Sequence, residues 1–392
     1  MKIFHNNHFE NLAKTSGECV VSIYIPTSQK STDSYQADKT HFKNQLAATE
    51  NDLKNICKME EEDIEKFLKP GYELLEDYDF WKYNSDMLAY YIIDGKAEFY
   101  RLPINLDKGM HFVGKRPFLL PLIPELTGDG RFYVLLLNLD RIRLFEATRN
   151  TMNEIELDPE EVAVSFTAEE EEDENQESLQ GQGGVGKAGA MFHGHAKGSD
   201  EEKKVTILNY FHRMTNMLEP ILNQHPLPLY LAGVDYLIPL FRQASKYHHL
   251  MEGHVSGAQF NVKNADHREL HQKAWAIAEP HFEKEKKDRK EDFGFKASKN
   301  LAVSNDYAKL IKASITGGVD TLLVSQKHKH LWGTYDENNY KLSFDDDPDG
   351  NNHCLIDLAA VKVKENGGKV YLVDPEHMPD SALIAGTLRY EL

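Results

Sequence analysis

The sequence predicts an α/β protein of three domains. Three observations carry that reading. A chain of 392 residues is longer than one hydrophobic core usually serves. Apolar stretches of period two alternate with stretches of period 3.6 along the chain, so strands and helices are interleaved throughout. One long interruption, about 168–203, has no periodic apolar pattern at all.

The elements follow in order. In the first domain, 1–130, "CVVSIYIPT" (Cys19–Thr27) alternates as a strand, and helices are expected over 36–57 and 61–77. "DMLAYYIIDGKAEFYRLPI" reads as a hairpin whose Asp94-Gly95 pair favours a tight turn. The proline-rich "RPFLLPLIPEL" closes this domain. The second domain, 131–290, opens with "RFYVLLLNLDRIRLFEA" (Arg131–Ala147), two strands around a turn near Asn138–Arg141. After the unpatterned segment, "KKVTILNYFHRMTNMLEPILNQ" (Lys203–Gln224) carries Ile207, Leu208, Phe211, Met214, Leu218, Ile221 and Leu222 at three-to-four spacing, one helix face. "PLYLAGV" (Pro228–Val234) is a buried strand, followed by a helix and a further strand, so a mixed sheet is expected. The lysine-rich 281–300 reads as a solvated helix end or connector. In the third domain, 291–392, glycine-terminated helices at "SNDYAKLIKASITGG" and "CLIDLAAVKVKENGG" alternate with the strands "VDTLLVS", "KVYLVD" and "GTLRY". That is a small α/β/α sandwich.

Composition removes several function classes. No run of 18 apolar residues exists to span a membrane, and "MKIFHNNHFENLAK" lacks the apolar core of a secretory signal. Cys19, Cys57 and Cys354 lie far apart and fit neither a disulfide framework nor paired zinc ligands, so a reducing cytoplasm is the expected location. With 45 basic and 63 acidic residues the net charge is −18, which argues against non-specific nucleic-acid binding, DNA included. The charge is uneven, however. Residues 169–177, "EEEEDENQE", hold seven acids and no base, whereas 178–290 hold 15 basic residues against 12 acidic ones.

Where the sign changes lies "LQGQGGVGKAGAMFHGHAKG" (Leu179–Gly198). "GQGGVGKA" (Gly181–Ala188) fits the phosphate-loop spacing but has Ala188 where a magnesium-binding hydroxyl belongs, and seven acids precede it instead of a buried strand. Gly181, Gly183 and Gly186 also fit the dinucleotide spacing, again without the strand. The histidine pairs give no metal site: His267 and His271 in "HRELH" lack the glutamate a zinc-protease helix requires. No cofactor and no metal is therefore assigned. What remains is a finger of about 168–203. Folded back on itself, each arm of ~17 residues reaches ~50–60 Å at about 3.3 Å per residue. Its basic end carries Lys187, His193, His195, Lys197, Lys203 and Lys204. Glycines permit close approach to a polyanion and lysines neutralise phosphate. A loop of this length is functional or a disordered insertion without a role, and composition alone leaves both open.

The order of units resembles the archaeo-eukaryotic peptide release factor superfamily, which also contains Pelota, in a bacterial form. "VVSIYIPT" is similar to the family's opening strand, and "FYVLLLNLDRIRLFEATRN" to the start of its central, RNase H-like domain, with "LYLAGVDYL" after the long helix. The third domain resembles the family's L7Ae-like domain, and "ALIAGTLRY" its terminal motif. In release factors the central loop carries Gly-Gly-Gln, which helps water cleave peptidyl-tRNA. Here Gly183 and Gly184 match the glycines, Val185 stands at the third position, and Gln182 precedes the pair. No "NIKS"-type codon-reading segment is present.

The resemblance implies a ribosome-binding factor that occupies the A site, contacting rRNA, without reading a codon. Its finger (Gln182, Gly183, Gly184, Val185, Gly186, Lys187, His193, His195, Lys197, Lys203, Lys204) would point toward the peptidyl-transferase centre, in hibernation, protection or rescue. An elongation-factor-like GTPase is the implied partner. The missing glutamine favours a non-enzymatic role. Two other readings stand beside it: a codon-independent peptidyl-tRNA hydrolase using Gln182, and a non-ribosomal RNA- or protein-binding module.

Overall fold

The computed structural model describes residues 4, 6–28, 35–82, 84–127, 130–139, 141–149, 151–157, 200–257, 267–326, 330–336 and 338–391. It is a mixed α/β protein with several sheets, divided into two compact units. One unit comprises Met1–Asp129 together with Glu285–Leu392; the other is Gly130–Lys284.

After helix α1 (Asn6–Lys14), strand β1 (Val20–Pro26) enters the middle of an antiparallel sheet. Helices α2 (Tyr35–Asn55), α3 (Glu61–Glu76) and the single turn α4 (Tyr78–Lys82) follow. Then come β2 (Met87–Ile93), β3 (Lys96–Leu102) and β4 (Met110–Gly114), giving the order β3-β2-β1-β4. Period-two alternation sends Val21, Ile23 and Ile25 to one face, against Phe42, Leu46 and Leu68 of the helices. Tyr24, with Ala89 and Tyr91 of β2, goes to the other face. Both faces of β1 are covered, which is why it reads as near-continuous apolar residues. The β2–β3 turn is the expected one: Asp94 (φ +50°) and Gly95 (φ +74°) both take the left-handed conformation that a two-residue hairpin of this hand requires. The proline-rich closure forms one 3-10 turn and α5 (Ile123–Thr127).

In the second unit β5 (Phe132–Leu137) pairs antiparallel with β6 (Arg143–Ala147), and β7 (Met152–Ile155) extends the hairpin. Helix α6 (Asp200–Gln224) leads to β8 (Leu229–Gly233), then α7 (Leu237–Ala244) and β9 (Leu250–Ser256). The sheet order is β7-β6-β5-β8-β9, with β5, β8 and β9 parallel, so the expected mixed sheet is present. Ile207, Phe211, Met214 and Leu218 of α6 cover one face with Phe241 of α7. Helix α8 (His267–Ala297) covers the other through Leu270, Ala274 and Ala278. The lysine-rich stretch from 281 is the second half of this continuous helix, not a separate connector. Its charges alternate in sign on exposed turns while Phe282 and Phe293 stay buried.

The C-terminal residues add β10 (Ala302–Ser304), α9 (Tyr307–Ile315) and β11 (Val319–Ser325). A small antiparallel sheet follows, made of β12 (Trp332–Asp336), β13 (Lys341–Asp345) and β14 (His353–Cys354). Helix α10 (Leu355–Glu365), β15 (Lys369–Val373) and β16 (Ile384–Leu388) complete the chain. The main sheet runs β10-β16-β11-β15, with β11 and β15 parallel. The β12–β13 hairpin was not expected, because its residues are polar, glycine-containing and half-exposed. The final strand ends at Leu388 and excludes Arg389 and Tyr390.

One sequence expectation is corrected outright. Cys19 and Cys57 form a disulfide, with Cα atoms 6.3 Å apart, and Cys354 alone is free. The start of β1 and the end of α2 lie side by side on one sheet face. Residues 38 apart in sequence thereby become neighbours.

Candidate functional site

Most of the sequence-derived site lies outside the described residues: Gln182, Gly183, Gly184, Val185, Gly186, Lys187, His193, His195 and Lys197. What the structure does describe is the frame on either side. Before the finger, Leu157 is buried beyond β7, and the hairpin is fixed by Arg143 donating to Glu154 (2.9 and 2.5 Å). A second pair, Arg131 with Glu146, is nearly buried (2.8 Å from Nε). After the finger, α6 starts at Asp200. Its apolar stripe seals one side of the sheet, and Tyr210 donates to the carbonyl of Asn138 at 3.4 Å.

Lys203 and Lys204 are the two site residues that the structure places. Both are exposed near the N-terminal end of α6. Cations there oppose the helix macrodipole, so helix stability does not account for them. Their ammonium groups face solvent, where they can meet an anionic partner.

The other candidate chemistry resolves into structure. His271 Nε2 donates to the Thr148 carbonyl at 2.8 Å, and the His267 ring packs 5.1 Å from Phe145. His254 faces Asp235 at 3.6 Å. Among the described residues no three His, Cys, Asp or Glu side chains come together as a metal site. Cys354 Sγ lies 3.7 Å from His330 Nδ1, the layout of a cysteine–histidine pair. Burial pushes the thiol up to about 12, so it is no nucleophile. Neighbouring His353 is pushed down to about 4 by burial and by the charge of Arg116. A cavity of about 50 Å³ lies here, lined by Arg116, Phe118, His353, Cys354 and Asp357. A larger cavity of about 230 Å³, in the second unit, has an apolar floor of Leu218, Leu222 and Phe241 under a mixed rim of His212, Glu219 and Lys246.

Sequence reasoning missed the most perturbed polar cluster. The Asp357 carboxyl group, buried in the first turn of α10, accepts from the backbone N–H of Leu119 (2.8 Å) and Leu120 (2.6 Å). Beside it Tyr24 donates to the Phe118 carbonyl and Tyr91 donates to Tyr24 (2.7 Å). Burial holds both phenols well above their ordinary range. The one signal for this cluster was a single acid inside the otherwise apolar "CLIDLAAV".

Residues 132–280 match the family model described as bacterial archaeo-eukaryotic release factor family 7. The resemblance to release factors is thereby shown for that segment, which includes residues 181–198. No curated protein matches the chain. Among solved structures, an archaeal translation termination factor, aRF1, is similar at 13% identity over 99% of each chain, with a TM-score of 0.26. Dom34 of S. cerevisiae, described as a translation termination-like factor interacting with Hbs1, is similar at 15% identity. That match covers 76% of this chain and 74% of Dom34, with a TM-score of 0.37. Archaeal Pelota, from a ribosome-bound assembly with ABCE1, is similar at 10% identity over 100% of this chain and 96% of that one, with a TM-score of 0.38.

Proposed function

We propose that this chain is a cytoplasmic translation factor that occupies the ribosomal A site without reading a codon. It would direct the 181–198 segment toward the peptidyl-transferase centre, in hibernation, protection or rescue. The proposal includes the three-domain division at 130 and 290, an RNase H-like central domain, an L7Ae-like C-terminal domain and an elongation-factor-like GTPase as partner. One observation carries it: the release-factor family match spans the segment in which Gly183-Gly184 is followed by Val185 instead of glutamine. Glycines for close approach are kept, while the side chain that would orient a water is gone. The exposed Lys203 and Lys204 support the same reading, since ribosome contact is mostly phosphate contact.

Co-sedimentation of the purified chain with vacant 70S ribosomes across a salt series tests this. Stoichiometric, salt-sensitive binding is expected; absence of binding even at low salt would sink the proposal. A peptidyl-tRNA hydrolase is the second reading, favoured by Gln182 beside the glycine pair. It requires peptidyl-tRNA cleavage that Gln182→Ala abolishes, whereas occupancy leaves Gln182→Ala binding unchanged. A non-ribosomal RNA- or protein-binding module is favoured by the net charge of −18, and predicts ribosome sedimentation indifferent both to Gln182→Ala and to neutralising Lys187, Lys203 and Lys204.

A further inference from the structure

The Cys19–Cys57 disulfide is placed where the N-terminal and C-terminal segments of the first unit meet. Two short paths lead from it to one loop, residues 345–352. On the α2 side, the carbonyl of Ile56, adjacent to Cys57, faces Gly350 so closely that a Cβ there would lie 2.6 Å away. Gly350 has φ +81°, so only glycine fits this approach without strain. On the β1 side, Gly17 donates to the Lys115 carbonyl (3.0 Å), and Lys115 Nζ donates to Asn351 Oδ1 (2.9 Å). Within the loop, buried Asn352 donates to the Asp347 carbonyl (2.9 Å) and to Asp345 Oδ2 (3.1 Å), so the loop moves as one piece. The bond therefore fastens together the two supports on which the loop is seated.

We propose that this disulfide is a redox latch, opened by a dithiol of the thioredoxin class, that sets how firmly the 345–352 loop is seated on the end of α2 and on Lys115. Disulfides in a reducing compartment are mostly transient and redox-sensing. The two sulfurs are unequal: Cys19 is buried and Cys57 partly exposed, so attack enters at Cys57. A thiolate of the reductant bonds to the Cys57 sulfur, and the S–S electron pair leaves on Cys19, which takes up a proton. The reductant's second thiol, giving up its proton, then displaces Cys57 as a thiolate that is protonated in turn. The dithiol ends as a disulfide and the chain as two thiols. The inference rests on the reducing compartment that the proposed function carries and not on ribosome binding; the thiol count and the exchange test read it without ribosomes.

The test uses the purified full chain, oxidised or treated with dithiothreitol. Maleimide counting under denaturing conditions should find one thiol when oxidised, from Cys354, and three when reduced. Hydrogen exchange of amides 349–352 should quicken about tenfold on reduction, through local opening, while 132–137 stays unchanged. Cys57→Ser should exchange like the reduced chain with or without reductant. Gly350→Ala, which unseats the loop and leaves the disulfide in place, should exchange fast in both states, and it serves if Cys57→Ser does not fold. Three thiols in the oxidised chain, exchange at 349–352 indifferent to reduction, or a full redox response retained in Gly350→Ala would each overturn the latch.

Discussion

Replacing Asp357 by asparagine should make the protein's stability less dependent on pH, and by a calculable amount. Burial raises this carboxyl from 3.8 to about 7, against the opposing effect of the two backbone N–H groups that bind it. In the unfolded chain it ionises near its ordinary value. Between pH 4 and 7 the folded state therefore holds a proton that the unfolded state has lost, and stability falls as pH rises through that window. A shift of about 3 units at about 1.4 kcal/mol each corresponds to roughly 4 kcal/mol lost by pH 8, an upper figure for so enclosed a group. Asparagine keeps the Oδ1 acceptor for Leu119 and Leu120 and cannot ionise. The variant should match the parent only below about pH 3.5, where folded and unfolded parent both hold the proton, and exceed it progressively up to pH 8. Tyr24, Tyr91 and Cys354 are all held far above this range, and His353, pushed down to about 4, is present in parent and variant alike and cancels from their difference. Urea unfolding at half-unit pH steps, followed by the fluorescence of Trp81 and Trp332 in the same unit, gives the comparison. A stability difference that is flat from pH 4.5 to 8, or that grows toward low pH, would refute the reasoning.

Other changes separate scaffold from site. Phe211→Ala empties a fully buried position on α6, edge-on to Phe241 at 5.3 Å, and should cost about 3–5 kcal/mol in unfolding of the second unit. Lys203→Ala with Lys204→Ala should leave unfolding within about 0.5 kcal/mol of the parent. On ribosomes the same pair should weaken binding and lower the slope of log affinity against log salt by about 1 for each phosphate contact removed. An unchanged slope would take both lysines out of the interface.

Strands and helices that alternate apolar residues cleanly were legible in the sequence: β1, the β2–β3 hairpin with Asp94-Gly95, and α6 with its stripe from Ile207 to Leu222. The eye stops where the pattern weakens. For the second half of α8 the sequence leaves a solvated helix end and a connector both open, because its lysines and glutamates mask Phe282 and Phe293, a stripe too sparse to stand out; the helix end is what forms. The disulfide was invisible for another reason: pairing depends on β1 and α2 sharing a sheet face, and chain spacing does not report that. Asp357 was visible only as an acid in an apolar run. Its partners are backbone N–H groups of Leu119 and Leu120, which carry no side-chain signature. For the finger, composition and charge suggested a role, and its chemistry rests on residue identities.

Those identities bear on hydrolysis against occupancy through distance. Hydrolysis by the release-factor route needs a carboxamide at the third position of the glycine triplet, where Val185 stands. Gln182 is three residues earlier, about 10 Å of extended chain at ~3.3 Å per residue. Bringing its carboxamide to the reacting ester means sliding the loop by that length, and the glycine pair would leave its own place in doing so. Misplacement of a catalytic group by only ~1 Å can cost about 10²-fold in rate. A second glycine pair to take over the close approach would be needed immediately before the glutamine, and Leu179-Gln180-Gly181 does not provide one. Occupancy needs none of this: it asks only for a slender backbone and positive charge near its base. On the proposed reading Gly183, Gly184 and Gly186 would supply the first and Lys187, Lys203 and Lys204 the second.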